Sequence, residues 1–96
     1  AYAPTATPPS AVIAPAQVVY DALLLNDDPA RALGLLDNLV RANPGAALSL
    51  EARYLQAYIY DLLGDRTRAR DSYYELWGSA PRSVWGQLAA VHLEQR

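Results

Sequence analysis

The sequence predicts an all-α fold: five antiparallel helices arranged as a helix–turn–helix repeat solenoid, behind an extended, proline-rich N-terminal tail. Three observations predict it. Apolar residues recur at helical spacing along most of the chain. Capping residues, glycines and prolines interrupt that pattern at short intervals. One set of small, large and helix-ending residues returns 37 positions later. The 96 residues, 52% of them hydrophobic, are enough for one domain with a core. The chain divides into a tail over residues 1–12 and a helical domain over residues 13–96.

The tail reads "AYAPTATPPSAV" and holds three of the seven prolines and no charged residue. Proline removes a backbone donor and disfavours helix in the residue before it, so this stretch is expected to be extended or polyproline-like. It is expected to be held by its own domain or by a neighbouring copy, with Tyr2, Val12 and Ile13 as the contacting side chains. Thr5, Thr7 and Ser10 among prolines resemble O-glycosylation sites, so a glycan on the tail is a further expectation. An alanine-rich start is what signal peptidase leaves at a small-residue site. It points to an exported protein, extracellular or periplasmic.

The helices follow in order. Pro15 suits a first-turn position, with Val19, Tyr20, Leu23 and Leu24 at helical spacing behind it. Asp28 is the expected N-cap of the second helix, with Pro29 just inside and Ala32, Leu35, Leu36 and Leu39 on its apolar face. Asn43, Pro44 and Gly45 stop it. Ser49 is the expected cap of the third helix, which ends at Gly64, a natural position for the left-handed residue past a helix C-terminus. Asp65 caps the fourth, which carries Ala69, Tyr73 and Trp77 at four-residue steps and stops at Gly78. Tyr73 and Trp77 are expected in the core or in packing between repeats, and not as a cofactor box. Ser83 opens the fifth after Pro81. The short connections predict antiparallel neighbours.

Ala32, Leu36, Leu39 and Pro44 recur as Ala69, Tyr73, Leu76 and Pro81, and Tyr20 and Leu23 recur as Ala57 and Tyr60. The small residue lets two helices approach, the large one fills the space beside it, and the proline ends the second helix of a pair. On these residues the chain resembles the tetratricopeptide repeat (TPR) family, with about two and a half repeats. The best match covers residues 50–81: Ala57 at the small site, Tyr60 at the tyrosine, Gly64 between helices, Ala69, Tyr73 and Pro81 in the second helix. Trp85, Leu88 and Ala89 resemble the start of a third unit. Arg53 and Gln56 depart from the usual tryptophan and leucine, and the 37-residue period exceeds the family's usual one, with the excess placed in the "GAALS" link at residues 45–49.

Composition excludes several functions. The net charge is −2, with ten acids and eight bases, all arginine, which leaves no electrostatic footprint for nucleic acid. Cysteine is absent, so there is no disulfide framework, thiolate ligand or thiol nucleophile. No apolar run reaches the roughly 18 residues of a membrane span. His92 is the only histidine, and with no cysteine or second histidine it reads as a packed side chain, not a metal ligand. Asn26, Asp27 and Asp28 lack the spaced ligands and glycine of a calcium loop. No phosphate-cradling loop and no Ser-His-Asp pattern is present. No catalytic residue, metal or cofactor is therefore expected.

Binding to protein is the expected function. The resemblance places Glu51, Tyr54, Tyr58 and Asp61 along a concave groove. Tyrosines there suit an interface, and the acids argue against a clamp for acidic peptide ends. Arg66, Arg68 and Arg70 alternate near Asp65 and Asp71 as a solvated face. The last helix is apolar around much of its circumference, through Val84, Trp85, Leu88, Ala89, Ala90, Val91 and Leu93, where a terminal repeat needs a polar outer face. The first helix has the same excess. Val84, Val91 and Leu93 are therefore expected to meet the first helix of another copy, giving head-to-tail self-assembly into a ring or filament with the tail bridging copies. The alternative is a monomeric adaptor holding a peptide from another protein in the tyrosine-lined groove.

Overall fold

A computed structural model of the protein describes residues 14–45 and 47–95. Expectations about Tyr2, Thr5, Thr7, Ser10, Val12 and Ile13 lie outside the described residues. Among those described, the chain is all-helical, with five helices and no strand. The first helix is α-helical over Pro15–Val19 (α1) and continues as a wider π-helical segment over Tyr20–Leu25. The others are α2 (Pro29–Ala42), α3 (Ala47–Leu62), α4 (Arg66–Ser79) and α5 (Val84–Glu94).

The caps explain most of the boundaries. Asp28 accepts a hydrogen bond from the Arg31 backbone N–H at 3.0 Å, and Asp65 accepts one from Arg68 N–H at 3.1 Å. These caps lie 37 positions apart and satisfy the same orphan donor of their helices. At the other ends, Asn43 N–H bonds to the Leu39 carbonyl at 3.1 Å and Ala80 N–H to the Leu76 carbonyl at 3.0 Å, again 37 apart. Ser83 accepts from Gly86 N–H at 2.9 Å to open α5. Gly64 takes φ +83° after α3, a conformation that costs a side chain-free residue nothing.

Three local expectations are corrected. Ser49 does not cap α3, which begins two residues earlier at Ala47; Ser49 lies buried inside the helix. The first helix does not keep one α-helical phase. The run Leu23-Leu24-Leu25 is too broad to face inward on one side, and after Val19 the backbone widens into π turns that leave Tyr20 and Leu24 exposed, Leu24 at 72%. Trp77 is not in the core but 42% exposed, because Leu76 fills the inward position next to it.

The interior consists of two clusters. The first holds Val18, Ala22, Ala32, Leu36, Ala52 and Ile59, flanked by Leu23, Leu39 and Leu55. The second holds Ala57, Ala69, Tyr73, Leu76 and Ala89, flanked by Tyr60, Trp85 and Leu93. Ala32, Leu36, Leu39 and Ala52 of the first correspond to Ala69, Tyr73, Leu76 and Ala89 of the second at a constant shift of 37. Complete burial of Leu36, Ile59 and Leu76 stabilises the fold by about 1.5–3 kcal/mol each. Each helix touches its sequence neighbours, and the odd-numbered helices touch one another in order: α1 with α3, α3 with α5. Among the described residues α1 makes no contact with α4 or α5, so the two ends of the row do not meet.

Candidate interaction surfaces

The residues expected along one binding stripe are divided between interior and surface. Alanine at 57 and 69 brings α3 close to α4, and α5 then lies across both. That closeness turns Tyr54 inward. Its ring sits 5.9 Å from Tyr73, 5.6 Å from Trp85 and 5.6 Å from His92, all tilted. Its hydroxyl lies 2.8 Å from His92 Nε2, and the His92 ring stacks on Tyr73 at 4.5 Å and 8°. Burial pushes the Tyr54 phenol above its ordinary value, and the nearby Tyr58 adds to the shift. Tyr54 is thus a member of an internal aromatic cluster. Tyr58, one turn along, is 39% exposed and remains available to a partner. Glu51 and Asp61 are half-buried. Asp61 shares a small polar cleft with Arg66, His92 and Gln95.

Arg68 is committed locally, 3.6 Å from Asp65 and 5.8 Å over the Tyr60 ring. Among the described residues no group of three or more histidines and carboxylates could hold a metal, and no helix is long and apolar enough to cross a membrane.

The end residues also separate. Leu93 packs against the second core cluster and is spent on its own chain. Val84, Leu88 and Val91 recur at steps of four and three on α5, so they share one face; all three are exposed, Val84 at 60%. At the other end Tyr20, Leu24 and Leu25 are exposed on the π-helical segment.

Comparisons with protein-family models, with curated proteins and with solved structures find no match. A functional reading of this chain therefore rests on its own surfaces.

Two of those surfaces were not anticipated. The first is a groove of about 700 Å³ between the first helix and α2. Val18 and Ala22 form its floor, Leu25, Leu35 and Leu39 its apolar walls, and Asp21, Asn26, Arg31 and Asn38 contribute polar groups. The second is a shallow depression of about 180 Å³ beside α4, where Tyr74 and Trp77 meet edge-on at 6.2 Å opposite Ala90, Leu93 and Glu94. Its sequence signal is the pair of large aromatics three residues apart on one helix face. The groove has a fainter one in the three consecutive leucines, which no single face can absorb.

Proposed function

We propose that this protein is a non-catalytic subunit for protein–protein assembly: a TPR-like helical repeat that associates head to tail with copies of itself. One observation carries the reading. The row of helices has two ends that do not meet, and both expose large apolar side chains, Tyr20, Leu24 and Leu25 at one and Val84, Leu88 and Val91 at the other. Exposed apolar surface of this kind marks an interface when it gathers on one face. The repeat reading is supported by the caps, helix ends and core residues that correspond at a shift of 37. Contact between unlike ends is heterologous, and it closes into a ring or extends into a filament according to the rotation between copies.

The test is molar mass by size-exclusion chromatography with light scattering across a concentration series. The expected result is a mass above that of the 10.5 kDa chain, rising with concentration. Val84→Asp with Val91→Asp should return it to the monomer without loss of helix content. A wild-type monomer at high micromolar concentration overturns the reading.

A monomeric adaptor is the second reading, favoured by the exposed Tyr58, which lies two turns along α3 from half-buried Glu51. Under it, Tyr58→Ala abolishes capture of a peptide partner and leaves the mass unchanged.

A further inference from the structure

The geometry points to the depression between α4 and α5 as a receptor for an exposed arginine of a different protein. Tyr74 and Trp77 of α4 form one wall, their rings 6.2 Å apart and inclined at 65°. Ala90, Leu93 and the Glu94 carboxylate of α5 line the other side. Packing does not call for these aromatics. At the shift of 37, Tyr74, Trp77, Ala90 and Leu93 correspond to Asp37, Val40, Arg53 and Gln56. Three of those four are polar, and all three are engaged within the chain. Asp37 pairs with Arg41 at 3.0 Å, the Gln56 amide donates to the Leu33 carbonyl at 3.4 Å, and the Arg53 guanidinium donates to Ser79 Oγ at 3.5 Å. In the second unit two large rings stand at the α4 positions instead, Tyr74 58% and Trp77 42% exposed, while Leu76 already fills the inward position. Residues 90, 93 and 94 lie on a different side of α5 from Val84, Leu88 and Val91. The depression therefore stays open whether or not copies associate through that other face.

The chemistry of the walls names the ligand. The face of an aromatic ring attracts a cation, and a carboxylate beside it adds to the attraction. Among the described residues that line the depression there is one acid and no base. Arg70 lies one turn before Tyr74, but side chains lean towards the N-terminus of their helix, which takes it away from Trp77. The chain shows the same arrangement filled at another place. Arg68 lies 5.8 Å over the Tyr60 ring and 3.6 Å from the Asp65 carboxylate, a guanidinium held between a ring and an acid. The depression supplies the rings and the acid and leaves the guanidinium to a partner. Arginine suits it better than lysine. A guanidinium is planar and weakly hydrated, stacks on aromatic faces and meets a carboxylate through two N–H groups, whereas an ammonium is a compact, strongly hydrated charge. A shallow site of about 180 Å³ can cover one face of a flat group but does not enclose a round one.

The test titrates the peptide acetyl-Gly-Arg-Gly-amide into the ¹⁵N-labelled full chain and follows its two indole N–H signals and its backbone amides. The same peptide with citrulline, which keeps the shape and loses the charge, is the control. The expected result is a saturable shift of the Trp77 indole and of the Ala90 and Glu94 amides with the arginine peptide, and none with citrulline. The Trp85 indole, packed against the second core cluster, serves as the internal reference and should stay still. Trp77→Leu and Glu94→Gln replace exposed side chains, so helix content by circular dichroism should not change. Each should weaken binding about two- to fivefold, read at the Ala90 amide. Equal shifts with citrulline, shifts that avoid Trp77, or no saturable shift overturn the inference. So does a Trp77 indole that moves on dilution of the protein alone, because a second copy then fills the site. Head-to-tail association is decided separately by the mass measurement above.

Discussion

The Tyr54 hydroxyl and His92 Nε2 lie 2.8 Å apart, joining the middle of α3 to the last turn of α5. The His92 ring in turn lies flat on Tyr73 of α4. One hydrogen bond and one stacked pair therefore tie three helices together at the end of the row. Tyr54→Phe keeps the ring contacts and deletes the hydroxyl. Because the site is part-buried, the loss should cost about 0.5–1.5 kcal/mol, read as a lower urea midpoint with unchanged slope. A midpoint equal to wild type would mean that the hydroxyl is equally well served by water.

The same phenol gives an alkaline signature. Its ordinary value is 10.0, and in the folded protein burial first, then Tyr58, hold it higher. Between the ordinary and the raised value the folded chain keeps a proton that the unfolded chain has lost. Stability linked to this group is therefore constant below pH 10.0 and falls as pH rises beyond it. Urea denaturation in steps from neutral pH into that range should show the fall in wild type and a shallower one in Tyr54→Phe. Parallel curves for the two proteins would assign the alkaline loss to other groups.

Gly86 sets how closely α5 follows α4. A Cβ built there would run into the Ala80 carbonyl oxygen, lie 2.8 Å from the Ala80 carbonyl carbon and 3.3 Å from Pro81 Cα. These are backbone atoms at the tight link between the two helices, so they cannot swing aside. Gly86→Ala should cost about 1–3 kcal/mol, as overpacking does, despite alanine's better helix propensity. The tilt of α5 would change, so a shift in tryptophan emission from Trp85 should accompany the lower urea midpoint. A neutral or stabilising Gly86→Ala would mean that the helix ends lie further apart than described.

Much of this fold was legible because short-range chemistry dictates it. Asp28, Asp65 and Ser83 cap because a helix start needs acceptors, and Gly64 ends α3 because few other residues accept its φ. Ala32 and Ala69 are buried small residues where two helices approach, and the constant shift made them visible as a pair. What failed had a different character. Helical spacing admits both Leu76 and Trp77 as neighbours of Tyr73, and in the fold Leu76 is fully buried while Trp77 is 42% exposed. The π turns after Val19 follow no 3.6-residue period. Tyr54 and Tyr58 look alike in sequence, yet Trp85 and His92 close over one and leave the other outside. The groove beneath Leu25 and Leu35 exists only through the relation of two helices, which no local pattern encodes.

Gly34 offers a stabilising change, and the reason separates it from the other glycines. It lies inside α2, exposed, with nothing within 4 Å of a Cβ placed on it and without the positive φ of Gly45 and Gly64. Glycine there gives the unfolded chain freedom that folding must remove, with no packing in return. Gly34→Ala should therefore raise stability by about 0.5–1 kcal/mol, visible as a higher Tm and urea midpoint with the oligomeric mass unchanged. Gly45→Ala has equal space around it but starts from φ +82°, so it should move Tm the other way. If both substitutions shifted Tm in the same direction, backbone conformation would not be what distinguishes the two sites. If Gly34→Ala alone altered the oligomeric mass, the outer face of α2 would itself belong to a contact between copies.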